Sequence, residues 1–180
     1  MYLRIGEKKA ITLPMGLALM SLGLYGWHQC MSGPSRLFYT RTFTLQPEAG
    51  FLALPSSNFC PTSLLGALAS SFSLASVGSL IYKTRGCATF GTVLGLTCAG
   101  ASLFACMDMR HNQHKAYAGG MGMGAGLMTY TAFNHPHMLN FVRFTPMTLV
   151  LAAVAYGFYY RDMSVIGGIS GGYLAFLLAL

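Results

Sequence analysis

The chain alternates between long hydrophobic runs and short polar or charged breaks. Six stretches contain no Asp, Glu, Lys or Arg: residues 10–35, 49–82, 86–107, 116–142, 144–160 and 163–180. A helix needs about 20 mostly apolar residues to cross the hydrocarbon core of a bilayer. The runs are continuous, whereas the strands of a membrane barrel alternate in polarity over about ten residues. The pattern therefore predicts an all-α fold, a polytopic membrane bundle of about six helices.

The breaks divide the chain into three segments. Residues 1–31 are a short basic stretch and an apolar run, which is typical of an uncleaved signal anchor and predicts an N-terminal membrane helix. Residues 32–61 contain four prolines, which exclude a spanning helix, so we expect an extramembrane or interfacial loop that lies on a neighbouring surface. Residues 62–180 predict a compact bundle of five helices, near 62–82, 87–107, 116–134, 141–160 and 163–180. The short links between these spans make neighbouring helices antiparallel.

Composition and charge narrow the class of protein. Charged residues make up 8% of the chain and hydrophobic residues 54%, whereas a soluble domain is about one quarter charged. This excludes an ordinary soluble enzyme, a nucleic-acid-binding domain and a disordered tail. The net charge of +7 comes from basic residues at the ends of the spans, where we expect them to contact anionic lipid headgroups. With six spans, six basic residues fall on one side and five on the other, so the positive-inside rule sets no orientation.

Glycines spaced four residues apart are the strongest local motif. Small residues at this spacing lie on one helix face and let two backbones approach closely in a membrane. We therefore predict helix packing at these glycines, and a narrow pathway lined by them is the alternative. The predicted packing residues are Gly91, Gly95, Gly120, Gly122, Gly124, Gly126, Gly167, Gly168, Gly171 and Gly172.

Few residues suggest catalysis or metal binding. Asp108, His111 and His114 are spaced so that one helical face could present all three to a metal ion. A polar link collects such residues without any metal, and we favour that interpretation. Every Asp, Glu, Lys and Arg falls at the boundary of a predicted span or in a loop, and no G-x-S-x-G motif occurs. We therefore expect no enzyme activity and no cofactor, only bound lipids, of which cardiolipin is a candidate.

Residues 87–172 carry a family resemblance. AYAGGMGMGAGLMTY, followed by NHP, by a span that closes in GFYYRDM, and by IGGISGG, resembles the transmembrane protein fourteen family. Members are small, Gly-rich, four-helix proteins of mitochondrial and other organellar membranes. The Lys and Pro that open the family's last helix are replaced here by Met163 and Ser164. The resemblance implies a mitochondrial membrane and a link to porphyrin or lipid-related transport.

Two functions follow as hypotheses. The first is a non-catalytic accessory subunit of a large mitochondrial inner-membrane complex, of the respiratory chain or ATP synthase. Its partners would be other membrane subunits and lipids, and no nucleic acid. The alternative is a transporter for a small metabolite, a lipid or a porphyrin-related compound. Its path would lie between residues 119–126 and 167–172, near Tyr117, Thr129, Tyr130 and Tyr173.

Overall fold

The computed structural model describes residues 2–5, 9–47, 53–112, 116–134 and 146–178. Among these residues, two short strands pair at the N-terminus, and the rest of the regular structure is helical. The elements are β1 (Tyr2–Ile5), β2 (Lys9–Thr12), α1 (Leu13–Cys30), α2 (Gly33–Phe43), α3 (Ala53–Ser56), α4 (Leu64–Phe72), a π-helical turn (Ser73–Gly78), α5 (Ser79–His111), α6 (Met121–Asn134), α7 (Pro146–Tyr160) and α8 (Met163–Leu177).

The helical class that the sequence predicted is confirmed, with one local exception. Strands β1 and β2 form an antiparallel hairpin in which residue 2 pairs with residue 12. The first helix therefore begins at Leu13, not at Ala10 as the apolar run indicated. Pro14 stands in the first turn of α1, where its missing N–H leaves no hydrogen bond unmade.

The chain reverses direction inside the long helical stretch. Gly86 has φ 90° and ψ 177°, a conformation that is essentially reserved for glycine. Residues 78 and 90 would lie about 18 Å apart along an unbroken helix. Instead, the ring of Phe90 comes within 3.0 Å of the place that a Cβ would take on Gly78. Residues 64–85 and 87–111 are therefore two arms that pack side by side, as the predicted link at residues 83–86 requires.

One helical stretch of the described residues is long and apolar enough to cross a membrane. Leu64–His111 includes a window with a mean hydropathy of 1.7, and by length and composition it could cross a membrane. The apolar helices Val150–Tyr160 and Met163–Leu177 are shorter. A bundle of six membrane spans is therefore not confirmed, although the helices follow the predicted order.

Different contacts between helices and loops are found at the two ends of the bundle. At one end, the guanidinium of Arg85 donates a hydrogen bond to the side chain of Asn134 at 3.3 Å. At the other end, Leu45 and Tyr117 form a short antiparallel bridge, and the Asn58 amide donates to the Ser102 hydroxyl at 3.1 Å. The predicted loop and the link after α5 therefore meet at the end opposite to Gly86.

The Pro-rich segment 32–61 is partly helical. Helix α2 has 11 residues, about 16 Å, so it is too short to span a bilayer. The later part of the segment packs on the chain itself, where Leu45 and Ala53 share an apolar cluster with Ala105 and Met109 of α5. Helix α6 begins at Met121 rather than near 116, because residue 117 is held in the bridge and Gly119 adopts φ 99°.

The main apolar core lies where α1, the two arms and α6 meet. Its largest fully buried side chains are Tyr130, Phe90, Leu74, Ile81, Met123 and Leu127. Helix α8 packs between the second arm of α5 and α6, and that contact contains most of the glycines singled out in the sequence.

Candidate functional site

Helix α8 presents two glycine faces to two neighbouring helices. Gly168 and Gly172 face α6, where an added Cβ would overlap the carbonyl oxygens of Gly122 and Gly126 respectively. Gly167 faces α5 across from Gly100, and an added Cβ would overlap the carbonyl oxygen of Gly100. The three backbones are therefore in direct contact, which only residues without a side chain permit.

Gly171 continues the α5 side of this contact one turn further on, against the carbonyl oxygen of Leu96. The two pairs on α8, spaced four residues apart, thus serve two different neighbours. We call this contact between α5, α6 and α8 the glycine contact.

Helix α6 is also two-sided. Gly122 and Gly126 face α8, where an added Cβ would overlap the carbonyl oxygens of Ser164 and Gly168. Gly120 and Gly124 face the opposite way, toward the helix and π turn before Gly86. A Cβ on Gly124 would lie 2.6 Å from the hydroxyl oxygen of Ser73.

A Cβ on Gly120 would lie 2.5 Å from the Cβ of Ser70 and 2.8 Å from the carbonyl oxygen of Asn58. The interlocked glycines of α6 therefore join the first arm to α8. At each of the eight predicted glycines within residues 120–126 and 167–172, an added Cβ would lie less than 3.0 Å from another part of the chain, and at Gly124 that neighbour is a side chain, that of Ser73.

Gly91 and Gly95 do not pack against another helix of the described chain, so helix packing at these two residues stays a prediction. A Cβ on either residue would meet nothing within 4 Å, because both lie on the exposed face of the second arm. The glycine of this arm that does enter the contact is Gly100, which the four-residue spacing does not indicate. Residues 96 and 104, one turn to either side of it, are Leu and Phe, so no pair marks it.

Hydroxyl groups complete the packing between α1 and the first arm. The hydroxyls of Ser21 and Ser70 are 3.0 Å apart and fully buried. Ser71 donates to the carbonyl oxygen of Ala18 at 3.1 Å. Such bonds satisfy buried polar groups and hold helices together in an apolar environment.

The candidate metal ligands do not form a metal site in the described residues, where no group of three His, Cys, Asp or Glu side chains comes together. The Asp108 carboxylate instead accepts hydrogen bonds from the side chains of Asn112, at 2.8 Å, and Tyr117. His111 is exposed, and His114 lies outside the described residues. Burial and the bond to Asp108 raise the pKa of the Tyr117 hydroxyl, which lies in the link before α6.

The residues expected near a transport path do not face one common space. Tyr117 lies at the end where α5 finishes, whereas Tyr173 packs with Phe133 and Phe176 toward the other end. Tyr130 is fully buried in the core. The Thr129 hydroxyl donates to the carbonyl oxygen of Ala125 within its own helix, at 2.8 Å.

An aromatic cavity lies between α1 and α2. It has a volume of about 380 Å³ and is lined by Trp27, Met31, Phe38, Tyr39 and Phe43 among others. The Tyr39 ring is fully buried beneath it, with its centroid 4.9 Å from that of His28 and 5.2 Å from that of Phe43.

Tyr39 also lies near a second buried group, the thiol of Cys60. Burial, with a smaller contribution from this thiol, raises the pKa of the Tyr39 hydroxyl, and burial also raises the pKa of Cys60. Sequence reasoning missed the cavity because the signal is spread over a helix end and a Pro-rich loop. The aromatic residues of the loop were the available hint.

No protein-family model matches this chain, and no curated protein matches it in sequence. The resemblance to the transmembrane protein fourteen family therefore stays a prediction.

Proposed function

We propose that the chain is a non-catalytic accessory subunit of a large mitochondrial inner-membrane complex, of the respiratory chain or ATP synthase. In this proposal it is a bundle of about six membrane helices, with segment 32–61 at one membrane surface. The glycine contact supports the proposal most strongly. It brings three helix backbones together, so the interior of the chain is occupied by its own packing.

The outer surface supports a membrane location. Large apolar side chains point outward from most helices, and many exposed apolar side chains are typical of a surface that faces a membrane or another protein. Examples are Leu19, Leu68, Leu103, Leu151, Phe158 and Leu174, all exposed. Lipid tails and neighbouring apolar helices would both cover such side chains without cost.

Helix length supports an assembly rather than a lone subunit. The two arms, residues 64–85 and 87–111, are about 33 and 37 Å long, enough for a hydrocarbon core of about 30 Å. Helices α7 and α8 have 15 residues each, about 22 Å. Short apolar helices are accommodated by a locally thinner bilayer or by packing against other helices. The mitochondrial location is proposed from the family resemblance.

Site-directed cross-linking in native membranes tests the proposal. A variant without the native cysteines receives Gly95→Cys, on the outer face of the second arm, and a photoactivatable thiol reagent is attached there. We expect a cross-linked product with another polypeptide. The matched control is Thr97→Cys, two residues away and fully buried, which should give no such product. The same reagent is also attached at Leu68→Cys and Leu103→Cys, two other exposed positions. Cross-links to lipid alone at all three positions would contradict the proposal that the chain is an accessory subunit.

A membrane transporter for a small metabolite, a lipid or a porphyrin-related compound is the second candidate. One observation favours it: the Thr131 hydroxyl on α6 is buried and has no hydrogen-bond partner in the described residues. A passing solute would find a polar group there. Its test is flux into liposomes that contain the purified protein. Saturable uptake that disappears in a Gly122→Leu, Gly126→Leu variant, which still inserts, would favour transport over the structural role.

A further inference from the structure

We propose that the cavity between α1 and α2 is a binding site for an anionic phospholipid. One acyl chain would lie against Trp27 and Phe38, and the anionic headgroup would lie at the rim of the cavity, where the positive charges of Arg36 and Arg41 attract it. The inference rests on the membrane location in the proposed function and adds a specific lipid site to it.

The volume and the apolar lining of the cavity fit an acyl chain. The volume of about 380 Å³ lies in the range of pockets that hold small ligands. The walls are aromatic and aliphatic, and Trp27 stands near the end of α1, where aromatic side chains sit at the membrane interface. Leu37 and Phe38 on α2 are 61% and 67% exposed, so this short helix presents apolar side chains outward.

Two arginines at the edges of the cavity fit an anionic headgroup. At 100° per residue, the side of α2 that lines the cavity runs from Pro34 through Phe38 to Phe43. Arg41 falls at the edge next to Pro34, and Arg36 falls at the edge next to Phe43.

Two exposed cations thus flank one apolar cavity, and no carboxylate of the described residues pairs with either of them. Basic residues beside an apolar pocket at a membrane surface match the two halves of an anionic lipid. A neutral lipid would gain nothing from the two arginines, whereas an anionic headgroup is attracted by both.

The fluorescence of Trp27 provides the test, because it is the one tryptophan of the chain. The full protein is placed in phosphatidylcholine nanodiscs that contain a small fraction of lipid brominated near the headgroup end of one acyl chain. Bromine quenches tryptophan on contact. We expect half-maximal quenching at a mole fraction about tenfold lower for brominated phosphatidylglycerol than for brominated phosphatidylcholine, given two basic side chains at the site.

Two variants and one control make the result specific. Arg36→Gln with Arg41→Gln should remove the preference for the anionic lipid. Ser35→Leu, which extends into the cavity, should lower quenching by brominated phosphatidylglycerol to the phosphatidylcholine level. Lys83→Gln with Arg85→Gln removes the same charge at the opposite end of the bundle and should leave the preference unchanged.

The contradicting outcomes are distinct. Equal quenching by the two brominated lipids would overturn the lipid site and leave the membrane location standing. Absence of quenching by either lipid would overturn both the site and the membrane location, and with it the proposed function.

Discussion

At the scale of single residues, the carbonyl oxygens of glycines set the distances between helices. Gly168 and Gly122 are in backbone contact, and so are Gly172 and Gly126. An interior packed in this way responds strongly to one added methyl group, because the nearest atoms are backbone and cannot rotate away. The outer glycines of the second arm differ, because open space surrounds them.

We predict that Gly168→Ala lowers the free energy of unfolding by about 1–3 kcal/mol, the usual cost of overpacking a core. Gly91→Ala, in the same kind of helix but with nothing within 4 Å, should be neutral or stabilising by up to about 1 kcal/mol through helix propensity. Thermal unfolding of the two variants in the same detergent compares them. Equal melting temperatures would show that the glycine contact does not hold the fold.

Sequence reasoning was right about glycines at this scale where spacing and packing coincide. The pairs on α6 and α8 are visible because both members face a neighbour. Gly91 and Gly95 have the same spacing but face outward, and Gly100 enters the contact without a glycine one turn away. Spacing identifies a helix face, but it does not tell which face the rest of the chain covers.

At the scale of elements, Gly86 decides how the long apolar stretch is arranged. Its positive φ converts what would be one helix of residues 64–111 into two arms. The sequence indicated this link through Lys83, Arg85 and Gly86 between two apolar runs. The bridge between Leu45 and Tyr117 was not predictable, because it joins a Pro-rich loop to a distant link and leaves no local pattern.

Gly86→Ala should destabilise the protein by about 1–3 kcal/mol, the cost of holding an L-residue in this backbone region. Gly95→Ala, a helical glycine on the open face of the same element, is the control and should not destabilise. The measurement is again thermal unfolding in detergent. An unchanged melting temperature in Gly86→Ala would mean that the chain does not reverse at this residue.

The reversal of the chain at Gly86 also predicts on which side of the membrane each end of the second arm lies. In a variant without native cysteines, Thr84→Cys places a thiol beside the reversal at Gly86, and Asn112→Cys places one just beyond the far end of the second arm. Both positions are exposed. A membrane-impermeant maleimide should label only one of the two in sealed, oriented vesicles, and should label both after permeabilisation. Labelling of both from the same side would refute the arrangement of two membrane-spanning arms.

At the scale of the whole molecule, the proposed function depends on the outer surface. The interior is filled by the glycine contact and buried hydroxyls, so the apolar outer faces are where other subunits and lipids would bind. Small residues on the outer face of the second arm would let a partner helix approach closely.

We therefore predict that Gly91→Leu with Gly95→Leu releases the chain from its assembly without lowering its own melting temperature. Gly168→Leu should do the reverse and destabilise the chain itself, so that less of it is present to assemble. Co-purified subunits and the melting temperature of the isolated chain separate the two effects. An intact assembly in the outer-face variant would show that this face contacts lipid rather than a subunit.

The most direct test of an accessory role is the native size of the protein after mild extraction from its own membrane. Blue-native electrophoresis, followed by detection of the chain in a denaturing second dimension, gives that size. We predict that the chain migrates in a complex far larger than its own 19.3 kDa. Migration only as a free monomer would contradict the proposed function.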